Sequence, residues 1–168
     1  MKEIKLSIKI QSGDMHHFLV QQNYTHFSGW FGVLISTAAV VMLLLNYKTN
    51  SSSANILLAL IGALFLIIQP IQLKLSAAQK VNMIPMFKEP LEYTLNDEGI
   101  KIQQKEEEAQ VTWEDVYKVV ESKKSIFAYT SRNSAFIFPK AQFKEQVEAV
   151  KDIIQEHVKE DKCKWKKK

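Results

Sequence analysis

Two apolar blocks interrupt an otherwise charged chain, and the positions on either side of them alternate in two different periods. From Phe27 to Leu45 there are 19 residues without a charge, and from Ala54 to Leu73 there are 20. At about 1.5 Å rise per residue, such runs approach the roughly 30 Å of a bilayer's hydrocarbon layer. Ahead of them, Glu3-Ile4-Lys5-Leu6-Ser7-Ile8-Lys9-Ile10 alternates strictly, which predicts a strand with Ile4, Leu6, Ile8 and Ile10 on one face. Ser12-Gly13-Asp14 then offers an N-cap for a short helix reaching about Tyr24.

After the second block the pattern is that of short strands. Leu91–Leu95 and Ile100–Gln104 flank Asn96-Asp97-Glu98-Gly99, a turn sequence that predicts a hairpin. Further strands are expected at Ala109–Trp113, Val116–Ser122, Ile126–Tyr129 and Ala135–Phe138, with Glu106-Glu107-Glu108 as a solvated link. Trp113 is expected to be a core anchor and Asp115 to hold the turn beside it. Beyond Pro139 the period becomes helical, with Phe143, Val147, Val150, Ile154 and Val158 forming a stripe that should cover one face of the sheet.

The fold class predicted is therefore an α+β membrane protein: a two-helix transmembrane hairpin plus a small antiparallel β domain closed by a C-terminal amphipathic helix. Its divisions are residues 1–26, an N-terminal strand and short helix; 27–73, the hairpin, with helices at 27–45 and 54–73; 74–90, a juxtamembrane linker; 91–160, the β domain with its helix; and 161–168, a basic tail. The strand Ile4–Ile10 has no partner nearby. It is expected to rejoin the sheet after Leu91, making the hairpin an insertion within one domain.

Charge adds orientation. The link Asn46–Ser53 carries only Lys48, whereas Lys74, Lys80 and Lys88 follow the second run and Lys2, Lys5 and Lys9 precede the first. The positive-inside rule then puts both termini on the cytoplasmic side of the cell membrane. Tyr24, Trp30 and Tyr47 fall at the expected interfaces. Ser28, Gly32 and Ser36 recur at spacing four in the first run, as do Ala59 and Ala63 in the second, which predicts close helix packing. Neither run holds an Asp, Glu, Lys, Arg or His, which argues against an ion or proton path.

Candidate chemistry is sparse. His16, His17 and His26 lack a carboxylate or cysteine at ligand spacing and read as surface residues, and His157 as solvated. Ser122, Ser125 and Ser131 have no base in sequence reach, and the five glycines form no phosphate-cradling run. Cys163 is the lone cysteine, so no internal disulfide is available, and it reads as inert. The expectation is a non-enzymatic chain with no catalytic residue, metal or cofactor. Residues available for lipid or partner contact are Lys123, Lys124, Arg132 and Lys140 on or beside loops, and Lys164, Trp165, Lys166, Lys167 and Lys168 in the tail. The tail reads equally as a solvated end. Expected partners are the lipid bilayer, anionic headgroups or a membrane protein, with a homo-oligomer also compatible; nucleic acid is not expected, because the β part is charge-balanced.

One resemblance is specific. Tyr93-Thr94-Leu95-Asn96-Asp97-Glu98-Gly99-Ile100, Val111-Thr112-Trp113-Glu114-Asp115-Val116 with Val119 and Glu121, and Phe138-Pro139-Lys140 with Phe143 resemble the YcxB-like family of bacterial membrane proteins. The resemblance implies two membrane helices ahead of a pleckstrin-homology-like domain. It implies no catalytic residues. A membrane-held interaction or regulatory module is the leading expectation, with a self-associating structural subunit or an immunity or stress-protection protein as alternatives.

Overall fold

The structure is a computed structural model and describes residues 3–25 and 27–166. Lys2, His26, Lys167 and Lys168 lie outside the described residues, as does the side chain of Ser28. The chain forms two units, residues 1–15 with 80–168, and residues 16–79.

The first unit is built on two four-stranded sheets. Strand β1 (Ile4–Ile8) pairs antiparallel with β2 (Leu91–Asn96), Ile8 opposite Leu91 and Ile4 opposite Leu95. The N-terminal strand thus does rejoin the sheet beyond the hairpin. It stops at Ile8 rather than Ile10 because the Gln142 side-chain amide takes over the backbone of Lys9, accepting from its N–H and donating to its carbonyl, both at 2.9 Å. The predicted alternation holds: Leu6, Ile8 and Ile10 are buried, and Ile4 at the start of the strand is partly buried.

Strand β3 (Gly99–Gln104) follows the expected turn, whose geometry is set by Asn96: its Oδ1 accepts from the N–H groups of Glu98 and Gly99. Gly99 adopts φ +154°, and a Cβ there would lie 2.1 Å from the Val111 carbonyl oxygen, so only glycine fits. Strand β4 (Glu107–Thr112) starts earlier than predicted. The turn is Lys105-Glu106, and Glu107 and Glu108 belong to the exposed edge strand, where Glu108 pairs with Lys101 at 2.5 Å. Charge on an edge strand discourages further strand addition. Sheet order is β1-β2-β3-β4.

The second sheet comprises β5 (Lys118–Glu121), β6 (Ser125–Tyr129), β7 (Ala135–Pro139) and a two-residue β8 (Cys163–Lys164), in the order β7-β6-β5-β8. Every residue of β6 is buried. Tyr93 of β2 meets Phe136 and Phe138 of β7 edge-on, with centroids at 6.2 and 5.1 Å, so aromatic rings fill the space between the sheets. Trp113 is buried and donates its Nε1–H to the Asn96 carbonyl, and Thr112 donates its hydroxyl to Asp115 Oδ2; both residues take their expected roles.

Two short 3₁₀ turns occupy Lys140–Gln142 and Lys144–Gln146, so the C-terminal helix begins only at Val147. Over Val147–His157 it buries Val150, Ile153 and Ile154. His157 is not solvated as expected. Its ring stacks on Trp113 at 5.5 Å and its Nδ1 lies 2.9 Å from the Ile153 carbonyl.

The second unit is helical. With α1 (Ser12–Thr25) at its start, α2 (Phe27–Asn46) and α3 (Ser52–Ala63) form the hairpin, and α3 runs through a wide π-helical turn at Leu64–Ile68 into α4 (Gln69–Met83). The C-terminal amphipathic helix is then α5. The π turn accommodates Pro70, whose missing N–H and bulky ring are incompatible with regular bonding to residue 66. Residues 74–83, read as linker, continue the helix. Gly32 receives the Phe65 ring so closely that a Cβ would lie 2.1 Å from it, Gly62 receives Val40, and Ser36 donates to the Ile61 carbonyl at 2.7 Å. Close packing is thus present, but on the second helix it uses Gly62 and Phe65 while Ala59 is exposed.

Candidate functional site

The second sheet gathers most of the basic residues singled out above, yet divides them. Lys123 and Lys124 form the exposed β5–β6 turn, which Ser122 closes through its N–H and hydroxyl, both donating to the Ser125 carbonyl at 2.8 Å. Lys140 lies at this end too. Arg132 sits at the other end, in the β6–β7 loop, where Ser131 Oγ accepts from the N–H groups of Asn133 and Ser134. The serines are turn-forming residues here.

Lys140 is not free to reach a ligand: its ammonium donates to Glu121 Oε1 at 2.5 Å and to the Ser122 carbonyl at 2.8 Å. Glu121 is the most connected charged group described, with a side chain only 5% exposed. It also meets Lys151 of α5 at 3.2 Å and accepts from the backbone N–H of Lys166 at 3.0 Å. Burial by itself raises the Glu121 pKa, but Lys140, the Lys166 N–H and Lys151 outweigh it and hold the carboxyl below its usual range.

The same carboxylate shapes the tail. Instead of a solvated end, residues 160–166 fold back: a 3₁₀ turn at Glu160–Lys162 leads into β8, which lies parallel to β5 with Cys163 beside Val119 and Lys164 beside Val120. Lys162 donates to the Val116 carbonyl at 3.0 Å, and the Lys151 ammonium stands 5.8 Å from the Trp165 ring. Trp165 is half-buried, whereas Lys164 and Lys166 are exposed. Cys163 is half-buried, and burial, with Asp161 and Glu160 adding to it, pushes its thiol pKa up, which keeps it unreactive.

One group escaped the sequence reading. Lys118, at the start of β5, holds its ammonium 4.6 Å from the centre of the Tyr129 ring and 5.8 Å from that of Tyr117. Burial, then Lys164, then Arg132, lower its pKa. Lys118, Arg132 and Lys164 thus share one electrostatic neighbourhood, and among the described residues none of the three has a carboxylate partner. An alternating strand gives no cue that a lysine will meet an arginine from a loop and a lysine from the tail.

No group of three His, Cys, Asp or Glu side chains converges among the described residues. No curated protein and no solved structure matches the chain. A family does: residues 95–154, from the end of β2 into α5, match the family model described as YcxB-like protein, so this stretch of the chain is YcxB-like, as its turn and strand motifs suggested.

Proposed function

We propose that the chain is a membrane-anchored, non-enzymatic module whose hairpin crosses the bilayer and whose β unit, with the plan of a pleckstrin-homology-like domain, binds a headgroup or a membrane protein at the cytoplasmic face. The observation that carries this is the outward-facing apolar surface of the hairpin. The window Gly29–Asn46 has mean hydropathy 1.9 and is 22% buried, and an 18-residue window within Ser52–Met83 has 2.4 and is 6% buried. A core helix of a water-soluble protein hides such residues. Here Leu44, Leu45, Ile56 and Leu57 stand exposed, which suits hydrocarbon as the solvent.

Topology follows from connectivity. The chain leaves the first sheet at Ile8 and returns at Leu91, residues paired with each other. Two crossings bring it back to the side it left, which agrees with the lysines flanking the runs. Seven antiparallel strands in two sheets, followed by α5, support the domain plan, in which the fold supplies a scaffold rather than a chemistry.

Carbonate extraction and thiol labelling test the reading together. The chain should stay with the membrane at alkaline pH, and a membrane-impermeant maleimide should modify Cys163 after lysis in urea but not in intact cells. Release by carbonate would remove the anchor, and labelling of intact cells would reverse the orientation.

A further inference from the structure

We propose that Lys118, Arg132 and Lys164 form a binding site for a phosphate-bearing anion, with the rings of Tyr117 and Tyr129 as its apolar wall. The inference deepens the module reading and rests on it only for the source of the anion.

Register places the cations. Side chains alternate along a strand, and directly paired residues of neighbouring strands point to the same face. Lys118 and Val120 therefore share a face of β5, and Lys164, paired with Val120, joins them. Glu121, which gathers Lys140 and Lys151, lies on the opposite face, so the sheet segregates its compensated lysines from its uncompensated ones. Tyr129, paired with Lys118, begins the turn toward Arg132. Glu160 and Asp161, which precede Lys164 closely in the chain, make no ion pair with the three cations among the described residues.

Three cations held together without an anion repel one another. Burial first, and then Lys164 and Arg132, lower the basicity of Lys118, and a bound anion would offset the contribution of the two charges. Arginine's planar fork on a loop and lysines on two strands suit a compact group carrying more than one charge and several acceptor oxygens, which a phosphate is and a single carboxylate is not. Tyr117 is 55% exposed beside Lys118, leaving room for the ligand and an amphipathic ring to meet it.

Lysine footprinting of the full chain in nanodiscs tests the site, with an N-hydroxysuccinimide ester as probe. Three preparations are compared: phosphatidylcholine alone, phosphatidylcholine with added inorganic pyrophosphate, and phosphatidylcholine containing phosphatidic acid. In at least one of the latter two, modification of Lys118 should slow by about fivefold, while that of Lys123 changes by less than about twofold. Protection by phosphatidic acid supports a headgroup as ligand. Protection by pyrophosphate alone supports the site with a soluble ligand and counts against the headgroup part of the module reading. Equal protection of Lys118 and Lys123 in both preparations would overturn the site, as would protection that persists in the Arg132→Gln/Lys164→Gln double variant. Carbonate extraction of the same chain reports on the anchor separately.

Discussion

Glu121→Gln tests whether one carboxylate organises the end of the β unit. The substitution keeps the volume and one acceptor oxygen but removes the charge facing Lys140 at 2.5 Å, Lys151 at 3.2 Å and the Lys166 N–H at 3.0 Å. A hydrogen bond to a charged group contributes about 1.5–3 kcal/mol and a neutral one about 0.5–1.5, a loss of about 1 kcal/mol per donor. Three donors would give about 3 kcal/mol, but Lys140 and Lys151 remain 19% and 15% exposed and can turn toward water. The expected loss is thus about 2 kcal/mol, read as a lower urea midpoint for the full chain in detergent micelles.

A second readout isolates the tail. Of the Glu121 contacts only the bond to Lys166 reaches the folded-back tail, so the tail loses about 1 kcal/mol and opens about fivefold more often. Cys163 is the sole thiol and lies in β8, so its rate of reaction with an aromatic disulfide reports the opening. The sign of the pH effect is fixed as well. The folded Glu121 pKa lies below its ordinary 4.5, so its stabilisation is complete above that value and is lost as pH falls through the lowered one. The native chain should lose stability more steeply than the variant below pH 4.5, with parallel curves above it. A midpoint loss under about 0.5 kcal/mol together with unchanged Cys163 kinetics would refute the role of Glu121.

Other substitutions probe the remaining joints. Gly99→Ala forces a Cβ against the Val111 carbonyl at φ +154° and should cost about 1–3 kcal/mol in the same urea titration. Gly32→Val drives two methyls into the Phe65 ring and should lower hairpin stability by about 1–3 kcal/mol, seen as helicity lost at lower detergent denaturant. Deleting residues 1–10 exposes the edge of β2 and the core positions filled by Leu6, Ile8 and Ile10, so residues 80–168 should become sensitive to protease; undiminished resistance would show that β1 is dispensable.

What the sequence made legible was local. The Asn96–Gly99 turn, the alternation of β1 and the apolar runs each follow from residues within a few positions of one another. Where several charges stand together, the local pattern points away from the structure. Glu106-Glu107-Glu108 was expected to be a link, but exposed edge strands accept charge, and the two-residue turn fell one step earlier. The second helix was expected to end where charge begins at Lys74. Charge does not stop a helix, and after Pro70 no proline or glycine intervenes until Pro85, so the helix runs to Met83. The tail reads equally as a lipid contact or a solvated end because its anchor, Glu121, is 45 residues away from Lys166. Long-range ion pairs of this kind leave no periodic trace, and the Lys118 cluster stayed hidden for the same reason.

Insertion of the hairpin between β1 and β2 links two stabilities that would otherwise be separate. Bringing Ile8 to Leu91 closes a loop of about 80 residues, and if that loop were flexible the closure would cost about 4 kcal/mol in chain entropy beyond a constant. Packing of α2 against α3 through Gly32, Ser36 and Gly62 removes much of that freedom. Loosening the hairpin must then return part of the cost to the sheet. Amides of β1 in Gly32→Val should exchange faster than in the native chain while those of β6, which the loop does not close, stay unchanged; equal exchange at both strands would mean that the hairpin folds without regard to the sheet it interrupts.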